Sequence, residues 1–93
     1  MDRPCILVVD DEAVVLEVVE RYLAREGYAV ITCADGRSAL RHVQEARPHL
    51  VVLDLMLPEV DGLEVCERIR ATSKTPVIMV TARGDVADRI AGL

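Results

Sequence analysis

The chain has 93 residues, enough for one domain near the lower limit at which a single apolar core holds together and too few for a second module. Apolar residues make up 52% of it, with two Tyr and no Phe or Trp, so the core must be aliphatic, a composition that suits buried parallel strands. The net charge of −5 and pI near 4.9 argue against direct nucleic-acid binding by this chain, which needs a positive face to displace counterions from phosphates.

The sequence then alternates short apolar runs with longer amphipathic segments, the signature of repeated β-α units and a parallel sheet. The first strand is expected at Cys5 to Val9. A helix follows over about Glu12 to Glu26, with Val15, Val19, Tyr22 and Leu23 recurring on one face and Gly27 placed for a left-handed C-cap. The second strand is expected at about Ala29 to Cys33. The second helix spans about Gly36 to Ala46, capped by Asp35 and closed before Pro48. The third strand, Leu50 to Leu53, is continuously apolar, as for a central strand covered on both faces, and leads directly into Asp54. After a loop containing Pro58, Asp61 and Glu64 read as a capping box opening a third helix through Leu63, Cys66, Ile69 and Arg70. The fourth strand is expected at about Pro76 to Val80. Gly84 and Asp85 then open a short fourth helix on which Asp85 and Arg89 can pair.

No apolar run reaches the roughly 18 residues needed to span a bilayer, and the N-terminus carries no signal-peptide core, so a cytoplasmic protein without a membrane partner is expected. Cys5, Cys33 and Cys66 are odd in number, widely spaced and set among apolar neighbours. They read as buried structural thiols rather than a disulfide framework or zinc site. His42 and His49 are seven apart, which is not the spacing of a metal pair on a helix, and neither is assigned a functional role.

Right-handed crossovers open every strand's carboxyl end on one rim, where ligands of such sheets bind at the point of strand-order reversal. The first strand ends there in Asp10-Asp11-Glu12, the third in Asp54 and the fourth in Thr81. If the strand order is 2-1-3-4, the first and third strands are neighbours and their three terminal aspartates converge. Like charges so close resist joint ionisation. Mg²⁺ resolves this, since it favours a few carboxylates plus waters and phosphate oxygens. Asp54 can then attack phosphorus while the Thr81 hydroxyl bonds a phosphoryl oxygen. Each residue has a plainer competitor: Asp10 and Asp11 as helix caps, Asp54 as a turn residue, Thr81 as a β-branched strand residue. Neither capping nor turn formation requires all four on one rim.

At ILVVDDE, VVLDLMLPEVDG and VIMVTAR the sequence strongly resembles response-regulator receiver domains, over its whole length. The resemblance implies a flavodoxin-like, doubly wound α/β fold, with residues 1–93 forming a C-terminally incomplete receiver that lacks the usual fifth strand and helix. It implies Asp10 and Asp11 as the metal-binding pair, Asp54 as phosphoacceptor and metal ligand, and the Met56 backbone carbonyl as a further Mg²⁺ ligand. It also implies Thr81 as the switch hydroxyl and Ala82 as the small residue beside it, with Pro58 and Gly62 in the loop after the acceptor. The ending TARGDVADRIAGL is most like receivers that precede a winged-helix DNA-binding domain. The lysine that in the family pairs with the phosphoryl group would lie beyond residue 93, and Lys74, in the loop before the fourth strand, cannot take that role.

The function expected is phosphorelay signalling: a phosphoryl group taken from a histidine kinase, self-phosphorylation and self-dephosphorylation chemistry rather than turnover of a substrate, and an output in transcription. The competing class is a binding or assembly module, or inactive fragment, that keeps the fold without phosphorylation. A free-standing Mg²⁺ phosphatase or nuclease is disfavoured because no general acid or basic substrate-binding group lies near the site. Without a fifth strand the fourth becomes an edge, so a homodimer or segment-swapped dimer through it is also expected.

Overall fold

The computed structural model describes residues 3–54, 57 and 62–80. The elements are β1 (Cys5–Val9), α1 (Ala13–Arg25), β2 (Ala29–Cys33), α2 (Gly36–Ala46), β3 (Leu50–Asp54), α3 (Gly62–Thr72) and β4 (Val77–Val80). All pairings are parallel, as the alternating pattern predicts, and the strand order is β2-β1-β3-β4, the order expected of the fold that the family resemblance implies. Joining parallel neighbours requires a crossover, and the amphipathic segments supply it as helices.

The two-residue period of the strands divides the apolar side chains between the faces of the sheet. Leu7, Val9, Val51, Leu53, Val77 and Met79 form one core with Ala39 and Val43 of α2 and Val65, Cys66 and Ile69 of α3. The alternate residues Ile6 and Val8 are buried as well but stand outside that cluster, on the face where α1 packs over β1 and β2. β1 is thus covered from both sides and reads as an unbroken apolar run, whereas Leu50 and Val52, the alternate residues of β3, are only half-buried.

Local sequence sets the helix ends. Gly27 takes a φ of +97°, and the Tyr28 N–H returns to the Leu23 carbonyl at 3.1 Å, closing α1 as the glycine predicts. Asp35 caps α2, its carboxylate accepting the Ser38 N–H at 2.7 Å. Arg47 leaves α2 in the left-handed region (φ 49°), and Pro48 has no N–H with which to continue the ladder.

Four expectations need correction. Tyr22 is not on the inner face of α1 but 61% exposed, because it lies at the margin of the arc defined by Val15, Val19 and Leu23; Leu16 is half-buried instead. Of the thiols only Cys66 is buried, whereas Cys5 and Cys33, in an end position of the sheet and in an edge strand, are half-buried. β3 runs one residue further, to Asp54, because Asp54 pairs in register with Val80. β4 begins at Val77 rather than Pro76. The capping box cannot be assessed at Asp61, which with Pro58, the Gly84–Asp85 helix and Arg89 lies outside the described residues. Glu64, its other half, receives a hydrogen bond from Arg68 at 2.6 Å as an i, i+4 ion pair.

Candidate functional site

Asp10 and Asp54 are placed by the ladder itself. Val9 is in register with Leu53, so one residue further along, the two chains deliver Asp10 and Asp54 at adjacent positions on the carboxyl rim. The Asp10 N–H donates to the Cys33 carbonyl at 3.1 Å, extending the tie between β1 and β2 by one residue and fixing the Asp10 backbone. The Asp10 side chain then turns the chain towards α1, its Oδ1 accepting the Glu12 N–H at 2.9 Å.

That hydrogen bond argues against helix capping as the role of Asp10. The N-cap of α1 is Glu12, which makes no side-chain cap bond, and the N–H that Asp10 binds belongs to this cap residue, not to the first turn. One Asp10 oxygen is therefore committed to the backbone.

Asp10 and Asp54 are buried, at 7% and 4% exposure, while Asp11 is exposed. One carboxylate oxygen from each of the three lies within 4.8 Å of the others. Burial pushes the Asp10 carboxyl above its ordinary value; the Glu12 N–H opposes this, and the charges of Asp54, Asp11 and Glu12 add to it. Two buried carboxylates and a third beside them make an oxygen-only donor set of concentrated negative charge. This fits a hard divalent cation such as Mg²⁺, which binds through a few carboxylates and keeps several waters for exchange with phosphate oxygens.

The structure therefore brings together Asp10, Asp11 and Asp54 from the ends of two strands. Met56, Thr81 and Ala82 lie outside the described residues. The sequence reading missed the role of the Glu12 backbone, although an aspartate two residues before a helix start is a recognisable Asx-turn signal. It also assigned nothing to His49, whose N–H donates to the Cys5 carbonyl at 2.7 Å and whose Nδ1 accepts the Cys5 N–H at 2.9 Å. This bond stitches β1 to β3 at the end of the sheet opposite the acidic rim.

Comparison with known proteins agrees with this architecture. Residues 6–93 match the family described as response regulator receiver domain. The chain is 53% identical over 93 residues to a probable transcriptional regulator ycf27 of Cyanophora paradoxa, covering all of this chain and 39% of that protein. It thus spans about two-fifths of the length of the curated relatives it matches. Among solved structures it superposes with a TM-score of 0.84 on the chemotaxis response regulator CheY4 of Vibrio cholerae, at 32% identity over 92% of this chain and 74% of that one. It also superposes with a TM-score of 0.79 on a chain of the complex between histidine kinase ThkA and response regulator TrrA, at 36% identity over 95% and 78%. Among the described residues no helix is long and apolar enough to cross a membrane. With its strand order, its acidic rim and the family match over nearly its whole length, the chain belongs to the response regulator receiver domain family.

Proposed function

We propose that this chain is a phosphoryl-accepting signalling domain in which Asp54 takes a phosphoryl group from a histidine kinase. The observation that carries the reading is the meeting of Asp10, Asp11 and Asp54 oxygens within 4.8 Å at the end of two adjacent strands. An Asp54 carboxylate oxygen forms the new O–P bond, the P–N bond of the donor phosphohistidine breaks, and the departing imidazole nitrogen takes up a proton. When bound, Mg²⁺ would supply neutralisation of charge on the transferring group.

Asp10, Asp11 and Asp54 would hold the cation, with the Met56 carbonyl as a further ligand. The Glu12 N–H keeps one Asp10 oxygen turned towards the backbone, which orients the carboxylate that would face the cation. Thr81 donates its hydroxyl to a phosphoryl oxygen, and Ala82 leaves room beside it. The chain acts as a regulator with its own phosphorylation chemistry rather than as a turnover enzyme. It works in the cytoplasm, and as in its named relatives the output is transcription, exerted outside residues 1–93. Its partners are a histidine kinase and a second copy of the chain.

Incubation with Mg²⁺ and a small phosphodonor, followed by intact-mass measurement, tests the reading. A phosphate-sized gain in the wild type and none in Asp54→Asn supports it. No gain in the wild type, with folding verified by circular dichroism, favours a binding module that does not use phosphorylation.

A further inference from the structure

Helix α1 rests on the sheet through Val15, Leu16, Val19 and Leu23, all half-buried, and no residue of the helix is fully buried. Away from the sheet it presents Val14, Val18 and Tyr22, exposed at 72%, 60% and 61%. Their spacing of four makes them one continuous apolar row. A second row, Glu17, Arg21 and Arg25, runs beside it with the same spacing and is also exposed. Val18, Arg21, Tyr22 and Arg25 line one shallow groove, and Glu17, Glu20, Arg21 and Ala24 line another. An apolar row edged by ordered charges has the form of a helix-pairing surface rather than of a solvated face.

We propose that this face seats α1 of a second copy of the chain, antiparallel about a two-fold axis passing between Val18 and Tyr22. The order of the charges identifies the occupant. In an antiparallel pair each flank meets the same flank of the other copy running backwards, so Glu17-Arg21-Arg25 meets Arg25-Arg21-Glu17. Two Glu17–Arg25 pairs form by symmetry, Val18 packs on Tyr22 of the other copy twice, and Arg21 meets only its own equivalent. A parallel pair would set Glu17 level with Glu17 and Arg25 level with Arg25, and both attractive pairs would be lost. A single helix pair buries less than the roughly 1,200 Å² of stable complexes, so the association is weak and concentration-dependent. It is independent of the phosphoryl chemistry.

Sedimentation equilibrium of the full chain between about 10 µM and about 1 mM tests the proposal, with circular dichroism to confirm folding of every variant. The wild type is expected to pass from monomer towards dimer, and Val18→Glu to weaken association by about tenfold or more. Glu17→Arg and Arg25→Glu should each weaken it, and the double charge swap should return it to within about threefold of wild type. Arg21→Ala relieves the one like-charge contact and should strengthen association, opposite in sign to Arg25→Ala. A chain that stays monomeric at about 1 mM overturns the proposal. So does a dimer indifferent to Val18→Glu and to the charge swap, which is what pairing through the edge of β4 produces.

Discussion

Asp10 and Asp54 leave adjacent parallel strands one residue beyond the Val9–Leu53 register pair, and both carboxylates are buried where they meet. The ladder that stabilises the sheet therefore also concentrates negative charge, and at this rim the fold works against itself.

The pH dependence follows from the raised Asp10 carboxyl. A group whose folded value lies above its unfolded one favours the folded state when protonated. Its contribution is fully present below the ordinary value of 3.8 and is lost as pH rises through the higher folded value. In chelator at pH 7, Asp10→Asn should therefore unfold at higher urea than the wild type, because Asn keeps the oxygen that accepts the Glu12 N–H and removes the charge. The advantage should shrink as the pH approaches 3.8. Equal midpoints at pH 7 in chelator would count against charge crowding at the rim.

Metal should reverse that order. Mg²⁺ that binds only the folded chain stabilises it in proportion to the logarithm of its concentration above Kd. Raising Mg²⁺ from about 0.1 to about 10 mM should raise the wild-type melting temperature, with much smaller effects on Asp10→Asn and Asp54→Asn. A thermal-shift titration reads this, and equal shifts in all three proteins would remove Asp10 and Asp54 from the metal site.

The strands and α2 were legible because their signals are local and agree with one another. A continuous apolar run for β3, an Asp35 cap and a Pro48 stop each point to one element. The convergence of Asp10 and Asp54 was legible only through topology, since their contact depends on β1 and β3 being neighbours, which no local pattern states. Tyr22 was misplaced because helical periodicity gives an arc and not its edges, and a tyrosine at the margin suits either side. The His49–Cys5 stitch spans 44 residues and has no sequence signature.

Core substitutions should separate the two faces of the helices. Ile69 is fully buried against the sheet, so Ile69→Ala should cost about 3–4 kcal/mol, a large share of what a small domain has. Val14→Ala, on the exposed face of α1, should change stability by less than about 0.5 kcal/mol. Urea unfolding monitored by circular dichroism at low protein concentration checks both. Comparable losses would mean that Val14 is covered in solution.

The Asp35 cap predicts a pH dependence opposite in sign to that of Asp10. The Ser38 N–H holds the Asp35 carboxyl below its ordinary value, so its contribution is present above 3.8 and is lost as pH falls through the lower folded value. Asp35→Ala should cost about 1 kcal/mol at neutral pH, the usual value of an N-cap. The cost should diminish in acid as the wild type loses the charged acceptor. An unchanged difference between pH 7 and strong acid would show that the cap acts through the neutral oxygen as well as the charged one.

Cys33 gives the sharpest chemical prediction, because burial acts on it through reactivity rather than stability. Burial pushes its thiol up from 9.0 to about 11, outweighing the opposing effect of the Asp35 backbone, and the S–H donates weakly to the Asp35 carbonyl at 3.8 Å. Since only the thiolate attacks, Cys33 at pH 8 should react with iodoacetamide about 100-fold more slowly than a free thiol of ordinary acidity. Peptide-resolved mass spectrometry of the intact folded chain measures this, and the Cys33 rate should keep climbing with pH to near 11. A rate that levels off near pH 9 would show that the end of β2 opens to solvent. Because the Cys33 carbonyl anchors the Asp10 backbone, that same opening would loosen the acidic site.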